Sequence, residues 1–243
     1  MYSEQCSVNG KLRQTLENGE ISLQGQFILG SNYTFLVTVH HAGQEIPAVY
    51  KPMRGERPLW DFPEASLAGR EAAAYLVSQA LGWGLVPLTV LRDGPLGPGS
   101  LQQFIEYDPN VHYFTFPPAD RLRLRPVALF DLLVNNADRK GSHVLFEKRT
   151  RRLFAIDHGL CFHAEDKLRT VIWDFAGEAV PPELLAALET FRGALDLGLP
   201  AALQPYLQPD EIAALHARAG ALLANPIFPH PPEDRRSFPY PPL

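Results

Sequence analysis

Two acidic residues, Asp138 and Asp157, lie nineteen residues apart (157 − 138) in segments whose composition suits chemistry. Asp138 stands in Asn135–Leu145 and Asp157 in Leu153–Phe162, and each lies at the edge of an apolar run. The polar, basic stretch Phe146–Arg152 between them predicts a tight hairpin, which would place both carboxylates on adjacent strand ends. Phosphoryl transfer needs such a pair, because one carboxylate orients the attacking hydroxyl and the other holds the metal on the phosphates.

Each segment also has a purely structural interpretation. Asp, Asn and Gly are common turn residues, so Asn-Asn-Ala-Asp or Asp-His-Gly is by itself typical of a loop. The catalytic interpretation depends on both segments occurring in this order, downstream of a strand that ends in a lysine.

The elements that must position these residues follow from hydrophobic periodicity. Residues 21–52 alternate apolar and polar side chains as an antiparallel meander of three strands, and residues 11–17 indicate a short helix or turn. Two further strands are predicted at 86–91 and 100–106. Helices are predicted at 64–81, 125–135, 182–195 and 209–223, with a Pro-rich tail at 226–243. The order predicts an α+β fold of two lobes, with the acidic hairpin near their junction.

Composition excludes several classes of protein. The chain has 243 residues, 46% of them hydrophobic, and a net charge of −5, which is typical of a globular protein and argues against nucleic acid as the main partner. Its two cysteines form no disulfide framework, and no apolar run is long enough for a transmembrane segment. With no signal peptide at its N-terminus, the chain is expected to be cytoplasmic. The sequence says nothing about oligomeric state.

Taken together, the motifs resemble the phosphatidylinositol 3-/4-kinase-like superfamily, closest to the type II phosphatidylinositol 4-kinases, with HipA-type kinases as distant relatives. A bacterial family of phosphatidylinositol-kinase-like proteins shares Asn-Asn-Ala-Asp-Arg-Lys and Asp-His-Gly. The resemblance covers roughly residues 25–175. It implies a single kinase-like domain over 1–243, with an antiparallel N-lobe carrying one helix (about 1–103) and a mainly helical C-lobe (about 104–225).

The resemblance assigns nucleotide-binding residues in the N-terminal half. Val49-Tyr50-Lys51-Pro52 is similar to the family strand whose lysine binds the α/β-phosphates, and Glu71 is similar to the helix glutamate that pairs with it. The segment 99–106 is similar to the hinge that reads adenine through backbone groups, here those of Gln103 and Ile105. The hairpin that covers the phosphates is matched by Gly30, Ser31 and Asn32, where backbone N–H groups would cradle phosphate oxygens.

In the C-terminal half the resemblance makes Asp138 the residue that positions or deprotonates the acceptor hydroxyl, and Asp157 a metal ligand. The family has Asn five residues after the catalytic Asp, as second metal ligand, whereas this chain has His143. The implied cofactors are ATP and Mg²⁺ or Mn²⁺. The implied partners are a nucleotide and a hydroxyl-bearing acceptor, which is a small polyol or inositol-like molecule, a lipid headgroup or a protein Ser/Thr.

Other functions remain open on the sequence. His143 favours a nucleotide-binding pseudokinase that acts through protein contact, and the same fold also suits transfer of AMP. Asp157, His158, Cys161 and His163 suggest a zinc site, although they lack a second half-site with the usual spacing. Lys167, Arg169 and Trp173 follow the metal motif, where they would either bind the acceptor or, for Trp173, belong to the core.

Overall fold

The computed structural model describes residues 2–27 and 32–243, with the side chains of residues 2–9 left out. Within these ranges the chain has a mixed α and β architecture built on a five-stranded antiparallel sheet, which confirms the predicted fold class. It forms two compact units. The first unit comprises Met1–Ala72 with Pro87–Ile105, and the second comprises Ala73–Val86 with Glu106–Leu243. The single-domain interpretation with its lobe boundaries stays a prediction.

The first unit contains the sheet, whose strands follow the spatial order β1-β2-β3-β5-β4. Residues on the two faces of β3 differ in burial, since Ala48 and Tyr50 are fully buried whereas Val49 and Lys51 are half-buried. Helix α1 packs against β2, β4 and β5. The elements are α1 (Tyr2–Asn18), β1 (Glu20–Gln26), β2 (Phe35–His41), β3 (Gln44–Pro52), the start of α2 (Leu67–Ala80), β4 (Thr89–Gly94) and β5 (Gly97–Gln103).

The second unit is mainly helical, with one small hairpin. The hairpin pairs Val144 with Ala155 and Phe146 with Leu153, in the place predicted from the sequence. Helix α7 packs against both α4 and α5. Its elements are the end of α2, α3 (Pro118–Leu122), α4 (Arg125–Val134), β6 (Val144–Phe146), β7 (Leu153–Ala155), α5 (Pro182–Leu195), α6 (Leu199–Leu203) and α7 (Pro209–Ala224). No described helix combines the length and apolar character needed to cross a membrane.

Some predicted boundaries are wrong, and the reasons are local. Helix α1 begins at Tyr2 rather than residue 11, so the first unit holds a second helix beside α2; its polar sequence has no apolar stripe to signal it. Strand β4 begins at Thr89 rather than residue 86, since Pro87 lacks the N–H that a ladder requires. Helix α2 begins at Leu67 rather than residue 64, because Ala65 has a φ of 55°. The short helices α3 and α6 were not predicted.

Candidate functional site

In the first unit, Lys51 on β3 and Glu71 on α2 form an ion pair. Lys51 Nζ contacts Glu71 Oε1, and only 3% of the Glu71 side chain is exposed, against 24% for Lys51. Glu71 is therefore buried rather than on the helix surface. A buried carboxylate requires a cation and hydrogen bonds, so Glu71 fixes the ammonium group at this point of β3. The structure brings these two predicted residues together.

The start of α2 is held by Glu56, a residue that the sequence did not single out. The Glu56 carboxylate accepts hydrogen bonds from Leu67 N at 3.1 Å and Ala68 N at 2.8 Å, two N–H groups that have no partner within the helix. Burial raises the pKa of Glu56, and these hydrogen bonds oppose the rise. No spacing rule finds this contact, because ordinary helix caps come from the residue next to the helix and Glu56 lies eleven residues away.

The structure describes only some of the other predicted nucleotide-binding residues. Gly30 and Ser31 lie outside the described residues. Asn32 Oδ1 accepts a hydrogen bond from Arg57 N at 2.8 Å, so this side chain contacts the segment that follows β3. At the predicted hinge, Gln103 N donates to Leu88 O at 2.8 Å. Ile105 is buried and follows the end of β5.

In the second unit, Asp138 lies in a loop whose backbone is fixed by buried side chains. Asp138 N donates to Asn136 Oδ1 at 2.9 Å, and Asn136 Nδ2 donates to Asp131 Oδ1 at 3.1 Å. Lys140 Nζ lies 3.4 Å from Asp138 Oδ2. Burial raises the pKa of Asp138 to about 6, Lys140 opposes the rise and the charge of Asp157 adds to it. A carboxylate with a pKa near the working pH is suited to act as a general base.

His143 and Asp157 face each other in the same unit, with His143 Nε2 3.1 Å from Asp157 Oδ2. His143 Nδ1 accepts a hydrogen bond from Lys140 N at 3.5 Å, so the ring also contacts the loop backbone. His143 is mostly buried, whereas 45% of the Asp157 side chain is exposed. Asp157 has a φ of 61°, in the left-handed region that Asp tolerates better than most residues.

The spacing of these two side chains fits one divalent ion. Adjacent ligands on an octahedral ion with bonds of about 2.1 Å lie about 3.0 Å apart, close to the 3.1 Å measured here. Among residues 2–27 and 32–243, no group of three or more His, Cys, Asp or Glu side chains is arranged to hold a metal. The pair would therefore supply two ligands, and Mg²⁺ usually takes its remaining ligands from phosphates and water.

Trp173, one of the residues predicted to follow the metal motif, lies against the C-terminal tail. Trp173 is half-buried and its Nε1 donates to Ser237 O at 3.3 Å, while Lys167 Nζ lies 3.1 Å from Glu165 Oε2. Gly141 N, three residues after Asp138, donates to Pro242 O at 2.8 Å. The Pro-rich tail thus packs on the segments that carry the predicted chemistry, which no sequence signal indicated.

The chain is similar to a Mycobacterium tuberculosis protein, "Protein Rv2133c", with 40% identity over 93% of both sequences. No family model matches the chain. Among solved structures, it is similar to the Helicobacter pylori proinflammatory kinase CtkA, with a TM-score of 0.54, 13% identity and coverage of 88% of this chain and 94% of that one. It is also similar to hydra Fam20 with sugar, with a TM-score of 0.54, 14% identity and coverage of 88% and 87%.

Proposed function

Since the chain belongs to the family of the Mycobacterium tuberculosis protein Rv2133c and has a kinase-like fold, we propose that it is an ATP- and metal-dependent phosphotransferase. It would move the γ-phosphate of ATP to a hydroxyl acceptor. The observation that carries the proposal is the buried Glu71 carboxylate that fixes the Lys51 ammonium group. This pairing supplies an oriented cation, which kinases need to neutralise nucleotide phosphates.

In this proposal the first unit binds the nucleotide. Lys51 contacts the α/β-phosphates and Glu71 orients it. Backbone N–H groups of Gly30, Ser31 and Asn32 cover the phosphates. The adenine is read by the carbonyl of Gln103 and by backbone groups of Ile105, because the Gln103 N–H is already donated to Leu88 O.

The second unit performs the transfer in this proposal. Asp138 accepts the proton of the attacking hydroxyl or orients it, in keeping with its pKa of about 6. Asp157 and His143 would hold Mg²⁺ or Mn²⁺, which would neutralise the charge that develops on the transferred phosphoryl group. Most of the rate enhancement would come from positioning and electrostatics.

A pseudokinase is the second candidate, and the contact between His143 and Asp157 favours it. A histidine whose Nε2 already lies 3.1 Å from Asp157 competes with the ion for that carboxylate. A third possibility keeps the fold and transfers AMP instead of phosphate. The narrower family label, a phosphatidylinositol 3-/4-kinase-like protein, is likewise part of the proposal and rests on the motifs alone.

Incubation with a cell extract and with ATP labelled at either the γ or the α position separates these candidates. We expect γ label to move to an acceptor with Mg²⁺ or Mn²⁺, and neither label to move in Asp157→Asn. Asp234→Asn, at an exposed aspartate, is the matched control and should leave the movement of label unchanged. Movement of α label would indicate AMP transfer. Nucleotide-induced stabilisation without transfer of either label would indicate a pseudokinase.

A further inference from the structure

Arg139, the residue after Asp138, is fully buried in the second unit and uses all of its hydrogen-bond donors. Its Nε and Nη2 bind the carboxylate of Asp131 on α4 at 3.0–3.1 Å, and both side chains have no exposed surface. A guanidinium group has five N–H donors in one plane. Two of the five donors form the bidentate pair with Asp131. The other three donate to acceptors elsewhere in the unit.

Those three donors bind the segments that carry His143 and Asp157. Nη1 donates to His143 O at 3.2 Å and to Ile156 O at 2.7 Å, and Nη2 contacts His158 Nε2 at 2.8 Å. Because guanidinium only donates, His158 Nε2 accepts, and the neutral ring carries its proton on Nδ1. Asp157 therefore lies between two residues that the same guanidinium group binds.

The backbone of Asp157 gives an independent sign of this restraint. Its φ of 61° is unusual for a residue other than glycine, and such conformations persist where the surroundings over-determine them. The bonds from Arg139 to Ile156 O and His158 Nε2 fix the chain on both sides of Asp157. Ile156 N also donates to His143 O at 3.0 Å, which joins the two segments directly.

We propose that Arg139 is a positioning residue that sets the distances among Asp138, His143 and Asp157 through one rigid guanidinium group. It does not touch the nucleotide, the ion or the acceptor. Because it acts on the residues assigned to metal binding and proton removal, this inference rests on the proposed phosphotransferase function. A lysine at this place would keep the charge next to Asp131 but has three donors on one nitrogen, which cannot reach all of these acceptors.

The test compares Arg139→Lys with Arg218→Lys. Arg218 is a partly buried arginine in the same unit that donates to Leu133 O at 2.8 Å and His163 O at 3.2 Å, so it also binds backbone carbonyls. Two quantities are measured for each variant. The first is Mn²⁺ affinity in the presence of ADP, from the electron paramagnetic resonance of free Mn²⁺. The second is the kcat and KM of ATP hydrolysis without acceptor.

For Arg139→Lys we expect a loss of about tenfold or more in Mn²⁺ affinity and of about a hundredfold in kcat, because small misplacements of reacting groups have effects of this size. The KM for ATP should stay within about threefold, and Arg218→Lys should keep both Mn²⁺ affinity and kcat. A folded Arg139→Lys with unchanged kcat and Mn²⁺ affinity would overturn the inference. If the unchanged protein neither binds Mn²⁺ with ADP nor hydrolyses ATP, the proposed function itself fails.

A second pair of variants covers the case in which Arg139→Lys does not fold. His158→Gln keeps a side-chain acceptor for Arg139 Nη2, whereas His158→Phe fills similar space without one. We expect kcat to fall in His158→Phe and to be largely restored in His158→Gln, measured at a temperature at which both variants are folded. Equal kcat values in the two folded variants would remove Arg139 from the positioning role.

Discussion

Replacing Asp138 with asparagine should stabilise the protein while it removes activity. The side chain is 27% exposed, and burial raises the pKa of its carboxyl from 3.8 to about 6. Ionised Asp138 is therefore unfavourable in the folded protein at neutral pH. Asparagine has nearly the same shape and no charge, so Asp138→Asn removes this penalty and leaves the backbone bond to Asn136 in place.

The size of the effect follows from proton linkage. A rise from 3.8 to about 6 corresponds to about 3 kcal/mol at pH 7.5, and the partial exposure of the side chain reduces this to about 2 kcal/mol. The folded state binds more protons than the unfolded state between these two pH values. The penalty is therefore small below pH 4, grows as the pH rises toward 6 and is constant above it. At pH 4.5 roughly a third of it remains.

Thermal unfolding without nucleotide or metal measures the effect at pH 7.5 and 4.5. About 2 kcal/mol in a protein of this length corresponds to a melting temperature higher by about 4–8 °C at pH 7.5, and the increase should shrink at pH 4.5. Asp234→Asn, at an exposed aspartate, is the control and should change little at either pH. A gain of the same size at both pH values, or no gain at pH 7.5, would refute the argument from burial.

Four further changes test the remaining assignments. The kcat/KM of phosphoryl transfer, which reports the pKa of the free protein, should fall about tenfold per pH unit below 6 as Asp138 takes up its proton, and should be flat above it. A profile flat down to pH 5 would exclude this carboxylate as the base. Glu56→Ala should cost about 1 kcal/mol in unfolding free energy by exposing the N–H groups at the start of α2, and denaturant titration should show no such loss for the exposed Glu64→Ala. Lys51→Ala should weaken the rise in melting temperature that ATP and metal produce, and an unchanged rise would contradict its phosphate contact. His143→Asn should shift the activity ratio toward Mg²⁺ from Mn²⁺, since imidazole suits transition metals better than oxygen-preferring Mg²⁺; an unchanged ratio in metal titrations would remove His143 from the ion.

The sequence predicted those elements whose signal is local. The alternating strands of the meander and the helix over 182–195 appear where periodicity placed them, because each buries one face. The hairpin between Asp138 and Asp157 was predicted from a basic, polar stretch between two short apolar runs, and it forms over Val144–Ala155. Helix α1 escaped prediction for the complementary reason, since its polar residues form no apolar stripe.

The candidate site was predictable only as far as its motifs extend. Lys51 and Glu71 were predicted as a pair from a family resemblance, and the structure places them in contact. Asp131 and Asn136 were missed, although both are fully buried and hold the loop of Asp138. A sequence shows that such residues are polar but not which distant groups the fold brings to them.

Glu56 and Arg139, which were not predicted from the sequence as positioning residues, have one physical property in common. Glu56 binds the backbone at the start of α2, and Arg139 binds the backbone carbonyls of His143 and Ile156. Each is a charged group that binds main-chain atoms, although Arg139 also binds the side chains of Asp131 and His158, so each restrains a conformation rather than a ligand. Asp138 differs, because burial leaves its carboxyl with a raised pKa that these restraints do not relieve. Ionised Asp138 is unfavourable in the folded protein, so other interactions must keep its loop in place. The buried Asp131–Arg139 pair provides these interactions. Loss of the Asp131–Arg139 pair should therefore disorder the loop that carries Asp138 rather than change the charge of Asp138.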